Sequence, residues 1–159
     1  MFREIRKKRN EISPDMAKQL LAAQRRGVLA VLGDDGYPYA IPINYIYSEE
    51  DGKIYFHGSR AGHRVDAIKR CDKVCFTVYG NALVKEEAWA PYVQSVVVFG
   101  RCRMITDQDY AIELVRRFAA KYYPDMKLVD QEISRSGRAV QMFEIEIEHL
   151  SVKKCRKKK

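Results

Sequence analysis

The last part of the chain has the clearest alternation of apolar and charged positions. Between Val140 and about Ser151, the apolar residues Phe143, Ile145 and Ile147 are each followed by a glutamate. Successive side chains of a strand point to opposite faces. The pattern therefore predicts a strand with one buried face and one face in water.

Apolar and β-branched runs predict five further strands, each bounded by turn-forming residues. These strands are residues 28–32, 39–47, 53–57, 73–79 and 93–105. Pro42 has no backbone N–H, so we expect its strand to lie at a sheet edge or to be bulged there. Gly100, inside the longest strand, indicates a bulge where a barrel wall bends.

Helical spacing and capping residues predict three helices. They cover about 13–24, 63–70 and 106–123, with Ser13 and Thr106 as N-caps of the first and third. Residues 81–92 have no clear period. Six strands with turn-rich links and three helices predict a mainly β protein, an antiparallel barrel that is closed or partly closed, with helices packed outside.

The sequence contains no repeat and no linker that would divide it. We therefore expect one domain over residues 1–159, with basic tails at about 1–12 and 152–159. Much of the net charge of +8 comes from these tails, which usually are solvated ends. A nucleic-acid contact through them stays open as a hypothesis, although no recognition helix or RNA-binding aromatic motif supports it.

Apolar runs and cysteines indicate the compartment and the kind of site. The longest apolar runs are far shorter than the roughly 20 residues of a membrane span, and no secretory signal follows the basic N-terminus. We therefore expect a cytoplasmic protein that does not interact with membranes. The cysteines, Cys71, Cys75, Cys102 and Cys155, are expected to be reduced, and their spacing predicts no metal site.

Residues 54–70, IYFHGSRAGHRVDAIKR, combine a strand, a small-residue loop and the start of a basic helix. Backbone N–H groups near Gly58 and Gly62, the hydroxyl of Ser59 and the cation of Arg64 could converge on one anion at the helix start. The spacing matches neither a Walker A loop nor a dinucleotide-binding fingerprint. The segment predicts a phosphate site of another kind.

Three ordered blocks carry a resemblance to a known family. YAIPINYIYSEEDGKIYFHGSRAGHR, KVCFTVYG and QSVVVFGRCRMI resemble successive blocks of the pyridoxamine-phosphate-oxidase-like FMN-binding split barrels, and within them most resemble the 5-nitroimidazole-resistance proteins. The resemblance extends from the Ser13 helix to the last strand. It implies a six-stranded split β-barrel and a homodimer with FMN at the interface, contacted by both chains.

The resemblance also implies which residues meet the cofactor. Residues 42–45 would lie against the flavin ring, the loop from Gly58 to Arg64 would hold the phosphate, and residues 95–97 would flank the cofactor. The implied cofactor-binding residues are Pro42, Ile43, Asn44, Tyr45, His57, Gly58, Ser59, Gly62, His63, Arg64, Ser95, Val96 and Val97.

His57 is the candidate catalytic residue, because the family histidine at the end of the third strand falls on it. A neutral imidazole could donate a hydrogen bond to the flavin or relay a proton, although a histidine at a strand end can also be a packing residue.

His63 could cap its helix or touch the phosphate. Trp89 is the best candidate for an aromatic cover over the pocket.

The implied activity is an FMN-dependent reductase that passes electrons from NAD(P)H to a small aromatic acceptor such as a 5-nitroimidazole. No nicotinamide fingerprint is visible, so the electron donor is implied only by the resemblance. The alternative is a split barrel that binds flavin or haem without turnover. Pyridoxamine-phosphate oxidase itself is disfavoured, because its substrate-phosphate residues are not recognisable at the C-terminus.

Overall fold

The computed structural model describes residues 2–6, 8–80 and 93–154, so the calls on Trp89 and Cys155 lie outside the described residues. Its strands are β1 (Arg26–Leu32), β2 (Pro38–Asn44), β3 (Ile46–Ser48), β4 (Lys53–Gly58), β5 (Lys73–Tyr79), β6 (Gln94–Met104) and β7 (Gln141–Lys154). Its helices are α1 (Pro14–Ala23), α2 (His63–Arg70), α3 (Gln108–Tyr122) and α4 (Met126–Ser136).

All seven strands belong to one antiparallel sheet with the order β2-β1-β5-β6-β7-β4-β3. The two strands at its opposite edges, β2 and β3, are joined in the chain by Tyr45 alone. A single residue cannot bridge the width of a flat seven-stranded sheet, since neighbouring strands are about 4.8 Å apart. The sheet therefore curls until its two edges meet at Tyr45, which confirms the barrel.

The hydroxyl of Tyr122, at the end of α3, holds this junction. It accepts a hydrogen bond from the Tyr45 N–H at 2.9 Å and lies 2.7 Å from the Tyr45 carbonyl oxygen. It is also within hydrogen-bond reach of the Arg25 carbonyl. The buried Tyr45 side chain donates from its own hydroxyl to the Leu21 carbonyl at 2.7 Å. The backbone groups that the strand break releases are thus satisfied by a side chain.

Gly100 is the site of the predicted bulge. The register between β6 and β7 shifts there, from Phe99 opposite His149 to Gly100 opposite Ile147. A methyl group at Gly100 would lie 2.2 Å from the Glu146 carbonyl oxygen, so only glycine fits. Glu148 is therefore the extra residue of β7. Before it the odd-numbered residues face the core, as predicted, whereas after it the even-numbered residues do.

The inward faces of the strands form the main core, which includes Leu29, Phe56, Phe76 and Phe143. A second cluster lies outside the barrel, where α3 packs through Leu114 on the outer face of β3, β4 and β7. The outer face of β2, β1, β5 and β6 has exposed apolar residues instead. In the described residues the two halves of the barrel wall therefore differ: one is covered by α3, whereas the other has no helix over it and is covered only in part, where Phe2 stacks on Phe99.

Three details differ from the sequence-based expectation. The predicted strand 39–47 breaks at Tyr45, so the described part of the chain has seven strands where six were predicted. The third helix is capped by Asp107, which accepts from the N–H groups of Asp109 and Tyr110, and not by Thr106. A fourth helix, α4, was not predicted. The mainly β antiparallel architecture and the edge position of Pro42 are confirmed.

Among the described residues, no helix combines the length and the apolar character that crossing a bilayer requires.

We expect Tyr122→Phe to lower the free energy of unfolding by about 1–3 kcal/mol, because it leaves polar groups at the Tyr45 junction without a partner. Urea unfolding would measure the change. Tyr123→Phe is the matched control, since the neighbouring ring is 62% exposed. Equal stability of the two variants would show that the Tyr122 hydroxyl does not hold the junction.

Candidate functional site

His57 lies near the end of β4, on the outer face of the barrel, where it pairs with Met142 of β7. Its ring meets the ring of Phe118 edge-on, with the centroids 4.7 Å apart. It remains exposed on its other side. Asn44, the last residue of β2, is also exposed and lines the same cavity as His57. The barrel closure therefore brings two of the predicted site residues together.

The surroundings of His57 favour its neutral form. Desolvation against the protein and the positive charge of Arg64 lower the pKa of His57 from its usual value. Both effects disfavour an added proton. At neutral pH the imidazole is therefore uncharged and can either donate or accept a hydrogen bond.

Arg64, in the first turn of α2, folds back over the edge of the core. Its Cζ atom lies 5.4 Å from the ring centres of both Phe56 and Phe143. Its Nε is buried and has no hydrogen-bond partner among the described residues. A methyl group added at Gly58 would lie 1.7 Å from Nη2 of Arg64, so the glycine makes room for the guanidinium.

Among the residues that the structure describes, no carboxylate forms an ion pair with Arg64. Burial lowers the pKa of Arg64, and the groups that oppose this shift are Cys102 and Tyr39. The Cys102 thiol carries no charge at neutral pH, because burial raises its pKa to about 12. A desolvated cation among uncharged neighbours is unfavourable until an anion pairs with it. The arrangement fits an anion site.

The loop from Gly58 to Gly62 leads into α2 and has its own fixed geometry. The Ser59 hydroxyl donates to the Ala61 carbonyl, and Arg60 donates to the Arg138 carbonyl beyond α4. Gly62 has a φ of 118°, which favours glycine, and it provides no side-chain cap for α2. The first N–H groups of that helix therefore lack an internal acceptor.

His63 faces away from the loop. Its Nε2 accepts a hydrogen bond from the Asp34 N–H at 3.3 Å, and its ring stacks on Tyr39 with 4.1 Å between centroids. Arg70, at the other end of α2, donates to Asp34 and to the Leu32 carbonyl. The two side chains attach α2 to the turn between β1 and β2. In this arrangement His63 positions the helix.

The predicted ring-binding segment, residues 42–45, alternates in direction. Pro42 and Asn44 are exposed on the outer face, whereas Ile43 and Tyr45 are buried in the core. Because β2 is an edge strand, none of the other described strands pairs with the backbone on one of its sides. Ile43 and Tyr45 can therefore contribute backbone groups to a ligand, but not side chains.

Ser95 and Val97 lie on the same outer face as Pro42, and Val96 is buried. Pro42 is opposite Val28, Val28 is opposite Thr77, and Thr77 is opposite Val97. Val97 is therefore three strand spacings from Pro42, or roughly 14 Å, measured across the strands. Residues 95–97 therefore lie well apart from Pro42 on this face of the sheet.

A cavity of about 1000 Å³ opens between the barrel and the hairpin of α3 and α4. His57, Asn44 and Met142 line its barrel side. The helices contribute mainly apolar and aromatic side chains, among them Val115, Phe118, Tyr122, Leu128 and Val129. The site thus combines a mainly apolar cavity beside His57 with the loop in which the sequence predicts a phosphate site.

The residues of α4 were missed because that helix was not predicted. Local signals for it exist: Asp125 follows a proline and accepts from the N–H groups of Lys127 and Leu128, and Val129 and Ile133 have helical spacing. Gly137 follows the last helical residue. These signals are short, and they lie between a longer helix and the most regular strand of the chain.

Comparison with known families adds an independent observation. Residues 13–154 match the family model described as pyridoxamine 5'-phosphate oxidase. The chain belongs to the pyridoxamine 5'-phosphate oxidase family. The match covers all the strands and helices described above, and it confirms the family resemblance of the three sequence blocks.

Solved structures with this fold include a candidate 5-nitroimidazole antibiotic resistance protein from Bacteroides thetaiotaomicron. The two are 16% identical with a TM-score of 0.72, over 89% of this chain and 84% of that one. An FAD-binding protein from Mesorhizobium loti is 24% identical with a TM-score of 0.64, over 91% and 96%.

An FAD and heme binding protein from Mycobacterium smegmatis is 18% identical with a TM-score of 0.69, over 89% of this chain and 70% of that chain. Identities this low establish the shared fold only. Among curated proteins, none matches this chain in sequence.

We expect the pKa of His57 to rise in the variant Arg64→Met, because the substitution removes a nearby positive charge. NMR titration of the imidazole would measure the pKa. Lys69→Met removes an equal charge from an exposed position on the same helix and should leave the value unchanged. An unchanged pKa in Arg64→Met would show that Arg64 does not act on His57.

Proposed function

We propose that the protein is a homodimeric flavoprotein that binds FMN and reduces a small nitroaromatic such as a 5-nitroimidazole with electrons from NAD(P)H. The observation that carries the proposal is the buried Nε of Arg64, which has no partner among the described residues. It lies beside Gly58 and near the uncapped start of α2. These features together fit a phosphate group.

The loop residues would hold the phosphate of FMN. Arg64 would exchange its packing on the rings of Phe56 and Phe143 for charge-assisted hydrogen bonds. The N–H groups at the start of α2 would add donors, and the helix dipole favours a negative charge there. Because Gly58 leaves room beside the guanidinium, the anion and the backbone can approach each other closely.

The barrel edge would position the flavin ring. Pro42 and Asn44 face outward on β2, and the edge backbone of that strand can form hydrogen bonds with the polar side of a flat ring. A bound flavin would supply the hydride and electron transfer that protein side chains cannot perform. The exposed side of His57 faces the adjacent cavity, where an acceptor would meet the ring.

His57 would hold or move a proton at its exposed ring nitrogen. Its lowered pKa keeps the imidazole neutral at neutral pH, and a neutral imidazole can donate to one partner while accepting from another. Phe118 fixes the orientation of the ring from the other side. The role is consistent with general acid–base assistance, for which geometry and protonation state both matter.

The homodimer is proposed from the uncovered half of the barrel wall. Val28, Leu32 and Phe99 on that face are between 36% and 44% exposed. A second copy would bury this apolar area. A dimer would also explain why Ser95 and Val97 lie three strands away from Pro42. In a dimer, Ser95 and Val97 of one copy could contact a ligand that is held mainly by the other copy.

A flavin- or haem-binding protein without turnover is the alternative, and the similar fold of an FAD and heme binding protein favours it as the second candidate. Anaerobic mixing of the flavin-loaded protein with NADH or NADPH, then with a nitroimidazole, separates the two functions. Bleaching of the flavin followed by reoxidation supports the reductase. A flavin that is bound but never bleached supports the binding protein.

We expect the purified protein to be yellow, with FMN identified by mass after release. Arg64→Met should weaken FMN binding at least tenfold, since a hydrogen bond to a charged group contributes about 1.5–3 kcal/mol. Fluorescence titration of free FMN would measure this. Lys69→Met should bind FMN normally. Equal affinity in both variants, or release of FAD instead of FMN, would contradict this assignment.

We expect Val28→Arg to give a monomer that has lost most of its FMN affinity, because it places a charge in the apolar interface. Analytical ultracentrifugation and fluorescence titration would measure the two effects. Ala22→Arg, on the exposed face of α1, adds the same charge elsewhere and should stay dimeric. A folded Val28→Arg dimer with normal affinity would exclude this interface.

A further inference from the structure

We infer that the cavity between α3, α4 and the barrel binds an uncharged, mainly apolar aromatic ligand with at least two fused rings. The inference rests on the proposed function in one respect: such a ligand would meet the flavin at His57 as an acceptor larger than the single-ring 5-nitroimidazole. The observations that carry it are the size of the cavity, its apolar lining and the partners that its charged residues already have.

The first observation is size. At about 1000 Å³ the cavity lies at the upper end of the range for small-molecule sites, about 300–1000 Å³. A single five- or six-membered ring would leave most of it filled with water. A fused-ring system would cover far more of the apolar wall, and each buried apolar group adds to the affinity.

The second observation is the lining. Phe118 and Tyr122 stack on each other with 4.7 Å between centroids, and they form an aromatic wall facing the barrel strands. At the mouth, Tyr123 and Leu128 are each 62% exposed, although both are large and apolar. Neither residue contributes to the two core clusters of the described residues. Their exposure is explained if a ligand contacts them.

The third observation is that the charged residues of the described lining already have partners within the protein. Asp125 is engaged as the N-cap of α4. Glu132 forms an ion pair with Arg135 at 3.0 Å and accepts from the Ser136 hydroxyl. Since the acidic groups have these partners, the cavity favours a neutral ligand over an ion. The polar groups that remain, His57 and Asn44, lie on the barrel side and would orient a nitro or carbonyl oxygen.

The two helices are also joined by an ion pair. Arg116 of α3 donates two hydrogen bonds to the carboxylate of Asp130 in α4, at 2.9 and 3.1 Å. Arg60 connects the loop after β4 to the segment that follows α4. These contacts join the elements that surround the cavity.

The test uses the full chain, with and without FMN, and two neutral nitroaromatics that differ by one ring. Nitronaphthalene should bind at least tenfold more tightly than nitrobenzene. Ala119→Phe fills the cavity from α3 and should weaken nitronaphthalene binding at least tenfold. Ala120→Phe is the matched control, because Ala120 is next to Ala119 in the chain but is exposed to solvent. This variant should bind nitronaphthalene with an affinity within twofold of that of the wild type.

NMR shift changes at Val115 and Val129 would locate the ligand, and circular dichroism would check the fold. If Ala119→Phe does not fold, Leu128→Asp replaces it. Because Leu128 is exposed, a charge there should not disturb the fold, but the charge would disfavour binding of an apolar ligand. Equal affinity for both probes, or shift changes confined to other parts of the chain, would overturn the inference.

Two further outcomes separate this inference from the proposed function. Nitronaphthalene binding in the cavity of a protein that never takes up FMN would support the inference and refute the flavoprotein. An Ala119→Phe variant could instead bind nitronaphthalene normally but become monomeric. That result would show that a second copy of the chain covers the cavity, and it would overturn this inference without affecting the proposed function.

Discussion

The closure of the barrel at Tyr45 is the constraint on which the rest of the structure depends. Two strands from opposite edges of the sheet follow each other with one residue between them. The chain can satisfy this only if the sheet curls, and the backbone at the junction then needs partners other than a neighbouring strand. Tyr122 provides them, so the position of α3 and the closure of the barrel depend on each other.

The candidate site results from this coupling. Closure brings Asn44, which precedes the junction, to the same cavity as His57 on β4. The end of α3 that holds the junction also presents Phe118 to His57. The loop that leads into α2 begins at the next residue, Gly58, and Arg64 in the first turn of that helix lowers the pKa of His57. Anion binding near Arg64 would reduce that effect, so the proton affinity of His57 would change with the occupancy of the loop.

The sequence was sufficient for those parts that local chemistry determines. Period-two alternation, the glycine turns and Pro42 identified the strands, and Gly100 identified the bulge, because each restricts the backbone directly. The break at Tyr45 could not be predicted, since its cause is a hydroxyl 77 residues away. The direction of Arg64 and His63 likewise depends on tertiary contacts. The helix α4 was missed because its apolar residues are few and most of its surface is polar.

The bulge at Gly100 makes the length of β7 as important as its composition. Residues before Glu148 and residues after it face the core with opposite parity, and Leu150 and Val152 are on the inner side only because one extra residue precedes them. Loss of a single residue in this region would turn both side chains outward and bring polar neighbours inward. Evolution can therefore exchange side chains along this strand readily, whereas insertions and deletions there should be rare.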